Sequence, residues 1–250
     1  MKSQTLPLLL TSSIVASDAG VNLKSIDARL HHTYECIDEW LKIDPTIPIV
    51  ICDGSDYDLS FIIGKKFPKA SIETLHFQNS IENIKAYGRG FGEGEIVKHA
   101  ILNSRVISSY ECFAKCTSKL WVENFNDCKT LWNDEFLCKG VFDNVFSPLH
   151  KTKLKHIDTR FYITKTDFYT ENLLNAHYFI DLENGYGLEE CFNQVLTGKL
   201  DTKKMFKIQP IISGVGGGTG KYYKNTWIRI QKEKARLFVL RNSKKFSIYF

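Results

Sequence analysis

Two short apolar runs, each closing on small polar residues, constrain this chain more than any other feature. LPLLLTSSIV (residues 6–15) and IPIVIC (residues 47–52) lack the alternating polarity of a strand with one wet face. They read as strands buried on both sides. Between them, DARLHHTYECIDEWL (residues 27–41) carries Leu30, Tyr34, Ile37 and Leu41 at helical spacing, and Pro45 and Pro48 lie beyond its end. Further strands are predicted over residues 71–77 (SIETLHF) and 112–117, with helices over residues 59–66 and 95–108. Strand, helix, strand, repeated, predicts an α/β chain with a mostly parallel sheet flanked by helices. Ligands of such sheets sit at the carboxyl ends of the strands. Polar residues cluster at those ends: Thr11, Ser12 and Ser13, then Asp53 and Gly54, then residues 115–119.

The second half is less regular. DTRFYIT (residues 158–164) reads as a strand, residues 166–175 as a helix, DLENGYG (residues 181–187) as a turn, residues 188–196 as a helix, and residues 208–213 as a strand or extended segment. With 250 residues, 43% hydrophobic and 24% charged, the chain suits one large domain with an elaborated C-terminal half. Its 17 Phe and 11 Tyr argue against extensive disorder. The net charge of +5 is concentrated late: residues 221–250 hold nine Lys or Arg and one acid, Glu233. That excess suits a phosphate-bearing ligand, nucleic acid or anionic lipid, or is a solvated basic face. Seven cysteines with no C-x-x-C pair disfavour zinc and fit a reducing cytoplasm. The N-terminal apolar stretch is broken by Thr11, Ser12 and Ser13, so it does not read as a signal peptide, and no run reaches the ~20 residues of a membrane span.

Four stretches offer chemistry, each with a plainer alternative. In YGRGFGEGE (residues 87–95), Gly88 and Gly90 begin a dinucleotide-type pattern that Glu93 breaks, and the Walker pattern is absent. The stretch reads either as a glycine loop that brings backbone and Arg89 to a phosphate at a helix start, or as a flexible turn whose acids serve the helix dipole. In AKCTSKLW, Lys115, Thr117 and Lys119 alternate and project to one side if the strand continues, as a diphosphate clamp or an ordinary solvent-facing edge. In DLENGYGLEECF, either Glu189 or Glu190 faces inward as a general base, or both merely favour a helix start. SGVGGGTGKYYKNTW (residues 213–227), with Gly214, Gly216 and Gly217, reads as a loop that orders on a ligand, where Tyr222, Tyr223 and Trp227 would stack on a sugar ring or base, or as a passive surface loop. Asp158 and Arg160 form an ion pair or hold substrate hydroxyls.

Together, LTSSI, VICDGSDYD, YGRGFGEGEIVKHAILNS, FAKCTSKLWVENF, DTRFYIT and GYGLEECF resemble GT-A-type bacterial glycosyltransferases of surface-polysaccharide synthesis (capsule, O-antigen, lipopolysaccharide). The resemblance runs to about Tyr223. It implies a GT-A-like single domain with a nucleotide-sugar half (1–125), an acceptor and catalytic half (126–225) and a basic tail (226–250). It implies a nucleotide-diphosphate sugar donor, a saccharide or lipid-linked acceptor, and a cytoplasmic protein resting on the inner face of an anionic membrane. Thr11, Ser12 and Asp53 would hold the nucleotide, Glu189 would deprotonate the acceptor in an inverting reaction, and Gly214–Gly218 would close over the substrates. Where that group usually carries D-x-D for a divalent metal, this chain has Lys115-Cys116-Thr117-Ser118-Lys119. The expectation is no metal and no cofactor, with Arg89, Lys115 and Lys119 meeting the leaving diphosphate. A nucleic-acid-binding module built on the basic, aromatic C-terminus and another nucleotide-dependent enzyme such as a methyltransferase are the alternatives.

Overall fold

The computed structural model describes residues 6–17, 20–197, 203–223 and 225–250. The first apolar run forms β1 (Leu8–Ser12), buried throughout. Successive side chains of a strand point to opposite faces. Leu8 and Leu10 therefore enter one core with Trp40, Ile49 and Ile51, while Leu9 enters a second with Val50, Val97 and Phe113. Both faces are covered by helices, which is why the run needs no polar alternation. On the first face lies α1 (Ile26–Ile43), which starts where the Ser25 hydroxyl accepts the Ala28 N–H at 3.3 Å. Its Trp40 indole donates to the Leu120 carbonyl at 3.0 Å. Then come β2 (Ile49–Asp53), α2 (Ser60–Lys66), β3 (Ile72–His76), α3 (Ile81–Tyr87), α4 (Arg89–Asn103), α5 (Arg105–Ser108) and β4 (Cys112–Thr117).

The second half supplies β5 (Leu120–Val122), α6 (Phe125–Lys129), β6 (Phe136–Asp143), β7 (Lys153–Lys165), α7 (Thr166–Asn172), α8 (Leu188–Leu196), β8 (Ile212–Gly214) and α9 (Trp227–Arg241). The main sheet has the order β3-β2-β1-β4-β7-β6. Its first four strands are parallel, and β7 runs against both neighbours. The sheet is thus mostly parallel, as predicted. β5 and β8 form a separate antiparallel pair. No sequence expectation covered β6, and α9 was read only as a basic tail. No helix among the described residues is long and apolar enough to cross a membrane.

A register shift marks the junction of β6 and β7. Cys138 pairs with Tyr162, but Lys139 pairs with Asp158. Thr159, Arg160 and Phe161 therefore have no β6 partner, although Phe161 still pairs with Cys116 of β4. Bulges of this kind re-aim side chains.

The glycine stretch departs from its predicted form. It is not a loop before a helix at residue 95; α4 already begins at Arg89, and only Gly88 has a left-handed φ, +77°. The other glycines are there for close packing. A Cβ at Gly90 would lie 3.0 Å from Leu188 Cβ, one at Gly92 would lie 2.9 Å from both Asn79 and Ile84, and one at Gly94 would run into His177. Opposite outcomes follow for two helical glycines. Gly94→Ala is expected to lower stability by about 1–3 kcal/mol through overpacking. Gly64→Ala, at an exposed α2 position with nothing within 4 Å of the added carbon, should raise it by about 0.5–1 kcal/mol. Urea unfolding midpoints of both variants check this.

Candidate functional site

The carboxyl ends of β1 and β4, the start of α4, the start of α8 and the segment 216–223 enclose a cavity of about 590 Å³, a size suited to a small-molecule ligand. Four cations reach its wall: Arg29, Arg89, Lys119 and Arg160, the last held by Asp158. Arg29, 6% exposed, is held on α1 by donating Nε to the Ser13 carbonyl at 2.7 Å and Nη1 to the Leu23 carbonyl at 2.9 Å. Burial lowers its guanidinium from the ordinary value; Asp53 opposes that and Arg89 adds to it. Lys119, 3% exposed, sits at φ +71° in the turn after β4 and donates to the Ser118 hydroxyl at 3.1 Å. Burial, reinforced by Arg29, brings its ammonium down to about 7. Like charges gathered in a poorly solvated wall favour an anion between them. Two more groups point to a ligand. The hydroxyls of Thr11 and Ser12 line the cavity, are buried, and have no protein hydrogen-bond partner, an uncommon condition for a buried polar atom. The start of α4 adds its own donors: Gly88 provides no side-chain cap, and Gly88, Arg89 and Gly90 all line the cavity.

The wall also carries Glu93 and Glu189, the carboxylates among the described lining residues. Glu93 is paired with Lys115, whose side chain is 1% exposed. The Lys115 ammonium also donates to the Thr117 hydroxyl at 3.1 Å and the Thr159 carbonyl at 2.8 Å. An ammonium has three donors, and all three are engaged. Lys115 does not line the cavity, and β4 ends at Thr117, so Lys115, Thr117 and Lys119 do not form the single row that a continued strand would give. Thr117 and Lys119 reach the cavity, while Lys115 stands behind Glu93. On α8 the two acids divide. Glu190 reaches back to the Gly187 N–H at 3.0 Å and faces His156, whereas Glu189 lines the cavity. Burial raises the Glu189 carboxyl above its ordinary value, and the Glu93 charge adds to this. Thr159, aimed by the β7 bulge, donates its hydroxyl to Glu189 at 3.3 Å.

Segment 214–223 is a strap over the cationic side. Gly214, at φ +103°, packs where a side chain would strike the Lys119 carbonyl. Val215 N–H donates to the Lys119 carbonyl and Asn22 N–H to the Gly218 carbonyl, both at 2.9 Å. Gly218 leaves room for the Arg89 guanidinium, and Gly216 and Gly217 line the cavity beside it. Tyr222 lies outside, its hydroxyl donating to Glu35 on α1 at 2.9 Å. Its neighbour Tyr223, the second of the aromatics expected to stack on a ligand, lines the cavity instead and lies under Arg160, 5.1 Å from ring centre to guanidinium carbon.

Several predicted residues stand behind the wall. Asp53 is fully buried and accepts from the N–H groups of Ile14, Ser55 and Tyr57 and from the Ser55 hydroxyl. It organises the loop ends after β1 and β2. Gly54 packs against Asn79 and Ile96. Asp158 holds Arg160 at 2.5 Å and 2.8 Å. Burial works against the charged Asp158, but the Arg160 contacts prevail and lower its carboxyl. Arg160 itself reaches the cavity, as does Ser13. Arg29, Asn79 and Thr159 are not among the sequence candidates. Thr159 is overshadowed by the charges on either side of it, Asn79 belongs to no motif, and Arg29 reads as one more polar position in DARLHHTYECIDEWL.

The cavity's donor set does not suit a divalent metal. The turn where an aspartate pair would stand holds Ser118 and Lys119, and Glu93 is already bound to Lys115. Among the described residues, His31, His32 and Glu35 have metal-ligand spacing on α1 outside the cavity. There Glu35 already accepts from the Tyr222 hydroxyl and faces His32 at 2.9 Å.

No protein-family model matches the chain, and no curated protein matches it. Solved structures of similar form include a protein assigned as a nucleotide-diphospho-sugar transferase from Desulfovibrio desulfuricans (10% identity, 78% of this chain and 76% of that one, TM-score 0.47). A 4-diphosphocytidyl-2C-methyl-D-erythritol synthase from Anaerococcus prevotii is similar over 95% of this chain and 100% of its own (9% identity, TM-score 0.48). TarS of S. aureus, in complex with UDP, is similar over 96% of this chain and 66% of its own (13% identity, TM-score 0.47).

The buried ammonium of Lys119 has a signature in stability. Its folded value is depressed, so the unfolded chain binds the extra proton between about pH 7 and the ordinary lysine value of about 10.4. The Lys119 contribution to stability therefore rises with pH across that window and is least favourable below pH 7. Lys119→Met is expected to be more stable than the native chain, with a gap that is widest below pH 7 and narrows toward pH 10. Urea midpoints measured at a series of pH values check it.

Proposed function

We propose that the chain is a glycosyltransferase that takes a sugar from a nucleoside-diphosphate carrier without a divalent metal. The observation that carries this reading is the cavity itself. Cations, two unpaired hydroxyls and a helix start line one cavity, together with a carboxylate of raised basicity. In the proposed reaction Glu189 removes the proton from an acceptor hydroxyl, whose oxygen attacks the anomeric carbon. The bond from that carbon to the diphosphate breaks, and its electron pair leaves on the diphosphate oxygen. Arg29, Arg89 and Lys119 are placed to meet that charge, the role a metal plays in related chemistry. Thr11 and Ser12 hydroxyls bind the nucleotide moiety, with Ser13 and Thr117 alongside. Lys115 acts one step back, holding Glu93. Attack opposite the leaving group makes the reaction inverting. The acceptor, a saccharide or lipid-linked saccharide of a bacterial surface polysaccharide, is proposed on the sequence resemblance.

Binding of UDP-, GDP- and CMP-linked sugars, followed by thermal shift and calorimetry, tests the donor side. At least one should bind equally with and without EDTA, and Lys119→Met should weaken it about tenfold or more, the scale of a hydrogen bond to a charged group. Recovery of binding or transfer only on adding Mg²⁺ sinks the metal-free reading. Glu189→Gln should lower transfer by at least about 10²-fold while donor affinity stays within about twofold. The native rate should fall on the acid side with an apparent pKa above the ordinary glutamate value, a limb that Glu189→Gln lacks.

A further inference from the structure

We infer that the outer face of α9 is a membrane-contact surface that lies flat on an anionic lipid bilayer. The inner face of the helix is accounted for: Leu240 is buried in the core with Leu237 beside it, and Glu233 faces inward toward Lys139 and Arg236. The outer face bears large apolar residues in water. Trp227 is 73% exposed, Ile228 74% and Phe238 70%, with Val239 also exposed. At about 100° per residue, these share one side of the helix with Gln231 and Ala235. Lys232 runs along one flank of that side and Lys234 and Arg241 along the other. An apolar strip edged by long cationic side chains, with an aromatic at one end, is the pattern of a helix lying in the headgroup layer. The stems of Lys and Arg extend over the apolar edge while their charges reach lipid phosphates.

The surface continues past the helix. The loop between β6 and β7 brings exposed Phe146 beside the helix, where Arg236 of α9 lies 5.9 Å from its ring. Lys244, Lys245 and exposed Ile248 follow α9. Charge complementarity selects the occupant. The one acid of α9 is turned inward, so the outer face offers cations without a balancing carboxylate on the helix. A second copy of the same face would bring like charges together, and exposed aliphatic side chains such as Ile228 and Val239 match acyl chains better than nucleic-acid bases. Contact with a bilayer does not require the proposed transfer chemistry.

The test is partition of the full chain onto vesicles, with no sugar donor present. The native protein should float with phosphatidylcholine vesicles that contain phosphatidylglycerol and stay behind with phosphatidylcholine alone. Each cation near such a surface changes partition about fivefold. Lys232→Glu combined with Lys234→Glu should therefore reduce partition more than about tenfold, and Trp227→Ser combined with Phe238→Ser should do the same. Urea midpoints and nucleotide binding of both variants should match the native chain, since these side chains lie outside the cavity. Brominated lipids should quench native tryptophan fluorescence, an effect lost in Trp227→Phe. No flotation, or flotation unchanged in both variants, overturns the inference. So does a dimer in lipid-free solution that the Trp227→Ser/Phe238→Ser variant abolishes, or single-stranded RNA bound more tightly than the anionic vesicles.

Discussion

A lysine ammonium taken out of water needs a carboxylate, and the placement of Lys115 beside Glu93 organises much of this molecule. Lys115 belongs to β4, Glu93 to α4 and the Thr159 carbonyl to β7, so one buried charge ties a parallel strand, a helix and the antiparallel strand together. Removing one partner of such a pair is costly because the other is left uncompensated. The pairing also has an electrostatic reach. The Glu93 charge adds to burial in keeping the neighbouring Glu189 more basic than usual. Thr159, fixed through its backbone by Lys115, turns its hydroxyl to Glu189. A residue that looks like a ligand clamp in the sequence thus serves as the keystone beneath one.

The glycines of α4 make that arrangement possible. Without side chains at positions 90, 92 and 94, the helix settles against Leu188, Ile84 and His177. His177 shows how closely: both ring nitrogens lack hydrogen-bond partners, and burial, assisted by Lys98, lowers the ring to about 4, so it packs as a neutral aromatic. The close approach carries Arg89 and Glu93, four residues apart on one face of the helix, into the same cavity. Chain flexibility has little part in this; the absent side chains are filled by other residues.

What was legible in the sequence followed from local physics. Apolar runs without alternation gave β1 and β2 because both faces of those strands are covered, and Leu30, Tyr34, Ile37 and Leu41 marked α1 at its spacing. The start of α4 was not legible. Glycine is a poor helix former, and the residues that reward it at Gly90 and Gly94 lie far along the chain, at Leu188 and His177. Arg29 was invisible for a related reason: its role comes from Ser13, Asp53 and Arg89 meeting it in space. The separate fates of Glu189 and Glu190 were readable only as alternatives, since the sequence does not fix which carboxylate turns back to cap the helix. DTRFYIT reads as a strand, but its residues do not foretell the bulge that frees Thr159 and Arg160 from β6.

Two groups of residues that line the cavity are mounted differently. Thr159, Arg160 and Glu189 stand on a long strand and a helix braced from behind by Lys115, Asp158 and Phe192, whereas Lys119, Gly216 and Gly217 belong to a turn and a strap. Insertions or deletions in the strap would reshape the second group without disturbing the first. A lineage descended from this scaffold therefore has room to alter what enters beside Lys119 while keeping the surroundings of Glu189 intact, and divergence should accumulate unevenly around the cavity's circumference.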